Sequence, residues 1–272
     1  MPTFEELDWG IAEDIFQKVD GACRKVGVDF YLIGAQAVNF NFMNSKILPM
    51  RATKDFDFAV LVPHMDDYEK LMSLLVQEGF KRTNEPYRLV YLKNDCIVDL
   101  LPFGAVEKNG KVSFSASFQL SVVGLREIKE WANEHTIQGT TYSISPTEGL
   151  FLLKLLSFDE RPERTKDLDD IMAILSRYFD LNFDRYFESP PEMIDDLSVK
   201  NFDLEAGACM LGKDLKEILV HSPALLQIVS EIFENELSDQ PGKIGKYSVE
   251  KNYFDTWEGF KRVFSLVHQH MK

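Results

Sequence analysis

Asp55-Phe56-Asp57-Phe58-Ala59-Val60-Leu61-Val62 begins with two alternating aspartates and runs into an apolar stretch that ends at Pro63. In a strand, residues two apart leave the same face. Asp55 and Asp57 therefore present two carboxylates side by side, while Phe56 and Phe58 pack on the opposite face. The stretch reads as a strand that enters a core from a polar first end. Two neighbouring carboxylates repel each other and need a cation. Mg²⁺, which takes a few carboxylate oxygens together with substrate phosphates, meets that need. Solvated aspartates at an exposed strand end are the plainer alternative.

A third acid lies downstream in Cys96-Ile97-Val98-Asp99-Leu100-Leu101. A lone carboxylate in an apolar strand is costly to bury unless it is paired or binds metal; otherwise it belongs on an edge strand facing water. If this strand neighbours the Asp55–Val62 strand, three acids converge on a site that would hold two ions about 3.5–4 Å apart, the arrangement used for in-line phosphoryl transfer. Upstream, the strand Phe30-Tyr31-Leu32-Ile33 runs into Gly34-Ala35-Gln36-Ala37-Val38. That is a strand, a glycine turn and a helix start, and backbone N–H groups at a helix start are suited to phosphate.

Around this centre, apolar residues at helical spacing (Leu7, Ile11, Ile15, Val19, Cys23) predict a helix over 4–26. A further helix is expected over 66–78, a hairpin of 87–92 with 96–101 around Lys93-Asn94-Asp95, a strand over 112–118 and a helix over 125–133. Ser145-Pro146-Thr147-Glu148 resembles a capping box with Pro at the first helical position. The domain boundary is placed there, giving 1–145 and 146–272. Beyond it, helices are expected over 147–158, 165–179, 215–235 and 253–271, with loops at 189–191 and 238–245.

At 272 residues with 45% hydrophobic content, the chain fits two modest domains. Its apolar runs fall far short of the ~20 residues of a membrane span. The acidic start lacks a signal peptide's basic segment, so the expected location is cytoplasmic. Cys23, Cys96 and Cys209 lie far apart, without zinc spacing. With 44 acidic against 30 basic residues the net charge is −14, which disfavours long nucleic acid as a partner. His64, His135, His221, His268 and His270 read as surface residues, and the aromatics of 247–264 as core packing.

Gly34-Ala35 on a strand–turn–helix, then Arg51-x-Thr53-Lys54-Asp55-x-Asp57, then Asp99, resembles the signature of the DNA polymerase β-type nucleotidyltransferases. The long gap between the glycine and the acids, with Arg51-x-Thr53 before them, is most similar to the AbiEii/AbiGii abortive-infection toxin branch. That branch also carries a helical Lys followed by a pattern close to Arg-Asp-x-x-Asp. Here Lys154 is followed by Arg161, Arg164, Lys166, Asp167 and Asp170. The resemblance covers roughly residues 31–178. It implies an α+β fold, in which a nucleotidyltransferase domain with a mixed sheet flanked by helices precedes a helical domain.

For the site, the resemblance implies that Asp55, Asp57 and Asp99 bind Mg²⁺. Gly34, Ala35, Arg51, Thr53, Lys54 and Lys154 would hold the NTP, and Asp167 or Asp170 would complete the site. The activity implied is transfer of an NMP group from an NTP to a hydroxyl of a protein, a tRNA or a small molecule, with an antitoxin as a partner in the toxin-like case. The chain departs from the family pattern at Ala35, where a second Gly or a Ser is usual. That departure keeps open a catalytically silent nucleotide-binding or interaction module.

Read from the residues alone, Lys154 lies in the apolar stretch Phe151-Leu152-Leu153-Lys154-Leu155-Leu156. It must snorkel to water or meet an anion, either phosphate or carboxylate. A bound triphosphate is the densest anion available to it, and on that ground Lys154 is expected to face the carboxylates of the first domain. Residues 161–170 read equally well as a solvated charged face with a Lys166–Asp170 pair.

Overall fold

The apolar run behind Asp57 becomes the middle strand of a seven-stranded sheet. In spatial order the strands are β3 (Phe80–Arg82), β4 (Arg88–Tyr91), β5 (Cys96–Gly104), β2 (Phe56–Val62), β1 (Asp29–Ile33), β9 (Thr140–Ile144) and β8 (Asn133–Ile137). The sheet is mixed. β2 runs antiparallel to β1 and parallel to β5, and β1 runs parallel to β9. This computed structural model describes residues 9–48, 53–137, 140–188 and 201–272. The chain divides into two units, Met1–Pro146 and Thr147–Lys272. The fold class is α+β, with the sheet and its helices first and helices thereafter.

Alternation along β2 sorts the strand's two faces. Phe56 and Phe58 are buried against Phe16 of α1 (Trp9–Val26), at ring-centroid distances of 6.2 and 5.3 Å, and Phe16 also meets Phe40 and Tyr142. Burying each such ring stabilises the sheet by about 1.5–3 kcal/mol. Slipping β2 by one residue would exchange this aromatic face for the one bearing Asp57, so the core fixes which side the carboxylate takes. Helix α2 (Gly34–Asn44) follows β1 directly. Helix α3 (Met65–Gln77) sends the buried Tyr68 hydroxyl to the Leu100 carbonyl of β5, at 2.8 Å.

Several expectations need correction in this unit. Asp55 precedes β2 instead of opening it, and it is exposed. The single strand expected over 112–118 is a hairpin of β6 (Lys111–Ser115) and β7 (Phe118–Ser121). Its turn lacks the usual glycine or asparagine; the Ser117 N–H instead bonds the Ser115 hydroxyl. The helix expected over 125–133 stops as α4 (Leu125–Lys129), and the chain then forms β8 and β9. The Thr-rich, β-branched runs on either side of 138–139 favour that pairing.

In the second unit, α5 (Thr147–Glu160), α6 (Thr165–Leu181) and the short α7 (Phe183–Glu188) precede α8 (Phe202–Leu219), α9 (Pro223–Glu236), α10 (Lys243–Glu250) and α11 (Trp257–Met271). The single helix expected over 215–235 is broken at 220–222. Pro223 forces Ser222 out of the helical region, to φ −137° and ψ 83°. The expected loop 238–245 already contains the start of α10, whose first N–H groups, those of Ile244 and Gly245, donate to Glu236 Oε2 at 3.0 and 3.2 Å. The expected loop at 189–191 lies outside the described residues. α11 begins at Trp257, where the Thr256 hydroxyl accepts from the Gly259 N–H, so the expected start at Tyr253 was four residues early. His268 is a further correction: it is buried, with its ring stacked 5.3 Å from that of Phe233. The three cysteines are buried free thiols. Among the described residues no helix is long and apolar enough to cross a membrane.

Candidate active site

The parallel pairing of β2 with β5 sets Asp57 directly opposite Asp99. Paired residues on adjacent strands project from the same face, with Cβ atoms about 5 Å apart. The sequence could offer this only conditionally, and the register now supplies it. On the other side of β2, Asp57 pairs with Ile33, the residue before Gly34. The carboxylate of Asp57 thereby comes to lie against the first residue of α2.

Gly34 is required there on two counts. Its φ of +73° is left-handed, and a Cβ at this position would stand 2.0 Å from Asp57 Oδ2. No side chain could share that space with the carboxylate. The N-cap residue of α2, Ile33, makes no side-chain cap hydrogen bond. The Asp57 carboxylate lies beside this helix start, where the positive end of the helix dipole favours an anion. Two residues on, Gln36 Nε2 donates to the Thr53 carbonyl at 2.8 Å, and the Thr53 hydroxyl accepts from the Asp55 N–H at 3.2 Å. The helix start thus ties down the segment that delivers Asp55. Lys54 is exposed and Ala35 is buried, and Arg51 lies outside the described residues.

Asp99 is 7% exposed and has a partner that the sequence reading missed. Arg88 forks onto it, with Nε to Oδ1 and Nη2 to Oδ2 both at 2.7 Å. Arg88 and Asp99 are cross-strand partners in the β4–β5 hairpin. Counting outward from the turn at 93–95 would have found the pair. The guanidinium also lies over the Tyr87 ring, 5.7 Å from its centroid, and Tyr87 stacks on Phe118 at 6.0 Å. The Asp99 hydrogen bonds hold the Arg88 pKa above its ordinary value, against the effect of burial.

The donor chemistry, though not a complete ligand set, is of the kind a divalent ion takes. It is made of hard carboxylate oxygens, and a carboxylate offers about four lone-pair sites, of which Arg88 uses two on Asp99. Among the described residues no three His, Cys, Asp or Glu side chains stand together closely enough to hold a metal by themselves. A divalent ion there would need oxygen donors beyond these side chains.

Within the helical unit, Lys154 reaches Asp167 Oδ1 at 2.9 Å and Asp170 Oδ2 at 2.7 Å. Ser157 Oγ and Arg164 Nε add bonds to Asp167 Oδ2 at 3.0 and 3.1 Å. Of the two anions considered for Lys154, the structure supplies carboxylates, so its burial among leucines needs no bound triphosphate. Asp167 and Asp170 are 1% and 2% exposed, which corrects the solvated-face alternative for these two acids, while residues 163–166 are exposed as that alternative expected. Burial pushes the Lys154 pKa down, but the Asp170 and Asp167 carboxylates outweigh it and leave the pKa raised.

No protein-family model and no curated protein sequence matches the chain. Solved structures do. The solution structure of the antibiotic-resistance factor ANT(2'')-Ia is matched over 80% of this chain and 92% of that one, with 12% identity and a TM-score of 0.40. The crystal structure of ANT(2'')-Ia in complex with adenylyl-2''-tobramycin is matched over 79% and 97%, with 13% identity and a TM-score of 0.40. An antigenic nucleotidyltransferase-like protein from Paracoccidioides brasiliensis is matched over 79% and 91%, with 14% identity and a TM-score of 0.37. At that identity and superposition, no residue's role follows from the likeness.

Proposed function

We propose that this chain is a Mg²⁺-dependent nucleotidyltransferase of the polymerase β type, transferring an NMP group from an NTP to a hydroxyl-bearing acceptor. One observation carries the reading: Asp57 stands in register with Asp99 and its carboxylate fills the space left by the missing Cβ of Gly34. Setting two carboxylates side by side at a helix start costs repulsion. That arrangement is useful where a cation and a polyphosphate are to be bound, and it disfavours the silent-module alternative raised by Ala35.

In this proposal Asp55 and Asp57 hold the ion, and the α2 N-terminus offers N–H donors to the triphosphate from beside Gly34. Asp99 is the third acid, oriented by Arg88. Bound Mg²⁺ would supply charge neutralisation at the phosphates and leaving pyrophosphate. Thr53 and Gln36 keep the Asp55 segment in place. Lys154, Asp167 and Asp170 act as one ion cluster, in which the ammonium would keep a donor for phosphate. The acidic net charge favours a protein or small-molecule acceptor over long RNA.

Incubation of the protein with each radiolabelled NTP and Mg²⁺ in a cell extract tests the proposal. Label should appear on protein, RNA or a small molecule with the wild type and not with Asp57→Asn. Absence of label from all four nucleotides, or equal labelling by the variant, would count against it.

A further inference from the structure

We infer that Glu148 is carried as a neutral carboxylic acid whose proton closes the open end of the α5–α6 hairpin: the start of α5 is held on Tyr178 while Glu148 keeps the proton and is loosened when the proton leaves. The two helices run antiparallel. Near their connection, Lys154 and Ser157 of α5 reach Asp167 and Asp170 at the start of α6. At the far end, Glu148 in the first turn of α5 meets Tyr178 in the last turn of α6. The Tyr178 hydroxyl is 3.2 Å from Glu148 Oε2 and 2.5 Å from Asp214 Oδ2 of α8. Arg185 of α7 grips the same aspartate, with Nη1 3.0 Å from Oδ1 and Nη2 on Oδ2.

Proton counting decides the state of Glu148. A tyrosine hydroxyl has one hydrogen, and the shorter bond, to Asp214, takes it. The hydroxyl then faces Glu148 with lone pairs only. An ionised Glu148 would offer only lone pairs in return, so the 3.2 Å contact is a hydrogen bond when the carboxylic O–H of Glu148 donates. Tyr178 is 1% exposed, so bulk water does not supply the missing hydrogen. Charge agrees. Asp214 and Arg185 balance each other, and an ionised Glu148 would be the surplus anion beside them. Tyr178 from α6, Arg185 from α7 and Asp214 from α8 are the titratable groups that face it. Burial first, and then the Asp214 carboxylate, raise the Glu148 pKa above its ordinary value and outweigh the hydrogen bonds and the Arg185 charge that lower it. Because the folded value is raised, the contribution of the clasp is complete below the ordinary value of 4.5 and is lost as pH rises through the folded value.

Carbon-13 NMR of the glutamate side-chain carboxyls of the full-length protein tests this with neither nucleotide nor metal, Glu148→Gln identifying the resonance. The Glu148 carboxyl should titrate above the ordinary value of 4.5. Denaturant unfolding over the same pH range gives a second readout. The glutamine amide keeps a donor for Tyr178 and carries no charge, so Glu148→Gln should hold the clasp closed at every pH. Between 4.5 and the folded value, the folding equilibrium of the wild type should fall relative to that of Glu148→Gln by about tenfold for each pH unit. Hydrogen exchange locates the change: the amides of Phe151 and Leu152, whose helical acceptors are the carbonyls of Thr147 and Glu148, should lose protection in the wild type above the transition and keep it in Glu148→Gln. Tyr178→Phe removes the acceptor of the proton and should leave those amides equally unprotected on both sides of the transition. A Glu148 carboxyl that titrates at or below 4.5, or wild-type and Glu148→Gln stabilities that run parallel across the pH range, would overturn the inference. So would a Tyr178→Phe protein whose α5 start still tightens as the pH is lowered.

Discussion

Gly34→Ala perturbs backbone and site at one atom. An alanine at φ +73° carries about 1–2 kcal/mol of left-handed strain. Its Cβ would stand 2.0 Å from Asp57 Oδ2, where ordinary contact begins at 3.4 Å, so the carboxylate must retreat by about 1.4 Å. A displacement of about 1 Å at a reacting centre costs on the order of 10²-fold in rate. The expected result is a modest loss of stability by denaturant unfolding and a loss of nucleotidyl transfer of about 10²-fold or more. A double-mutant cycle isolates the contact. In an Asp57→Ala background the carboxylate clash is gone, leaving the strain and a tight 3.0 Å approach to the remaining Cβ, so Gly34→Ala should cost less there than in the wild type. Equal costs in both backgrounds, or a Gly34→Ala protein that transfers at wild-type rate, would refute the close approach of Asp57 to the helix start.

Lys154→Met should destabilise the protein by about 3–5 kcal/mol, because the buried Asp167 and Asp170 would lose the ammonium they share, Asp167 keeping only the half-exposed Arg164 as a cation; neutralising both acids as Asn in the same chain should recover most of that loss. The folded-state pKa of Lys154 is raised, so its contribution is complete below the ordinary value of 10.5 and is lost as pH climbs through the higher folded value; unfolding midpoints in alkaline buffers should fall more steeply for the wild type than for the neutralised triple variant. Glu236→Ala removes the acceptor for the Ile244 and Gly245 N–H groups at the start of α10, and thermal unfolding should report a loss of about 1 kcal/mol.

What was legible in the sequence follows the range of the forces involved. The helix at 9–26 and strand β2 could be read because their burial repeats with the period of their own backbone, as in Ile15, Val19 and Cys23 or in Phe56, Phe58 and Val60. The strands β8 and β9 could not. Leu125 and Ile128 carry helical spacing into a segment whose Thr residues show their preference only once paired across the sheet. The break at Ser222 was written in Pro223, but the apolar spacing on either side masked it.

The site divides in the same way. Asp55, Asp57, Asp99 and Gly34 announced themselves by being costly or permissive residues in apolar surroundings. Arg88 did not, because an arginine at a strand end has many harmless uses until the hairpin register aims it at Asp99. Asp167 and Asp170 became the anions of Lys154 through packing of α6 on α5, a tertiary contact that no local spacing encodes.

Calorimetric titration of each NTP into the protein, with and without Mg²⁺ and for wild type beside Asp57→Asn, tests the central claim most directly. The expected result is nucleotide binding by the wild type only with Mg²⁺ present, lost or much weakened in Asp57→Asn, while the melting temperature of that variant is unchanged or higher because a repelling charge has been removed. Absence of binding for every NTP at millimolar concentration with Mg²⁺, or Asp57→Asn binding as tightly as the wild type, would contradict the account.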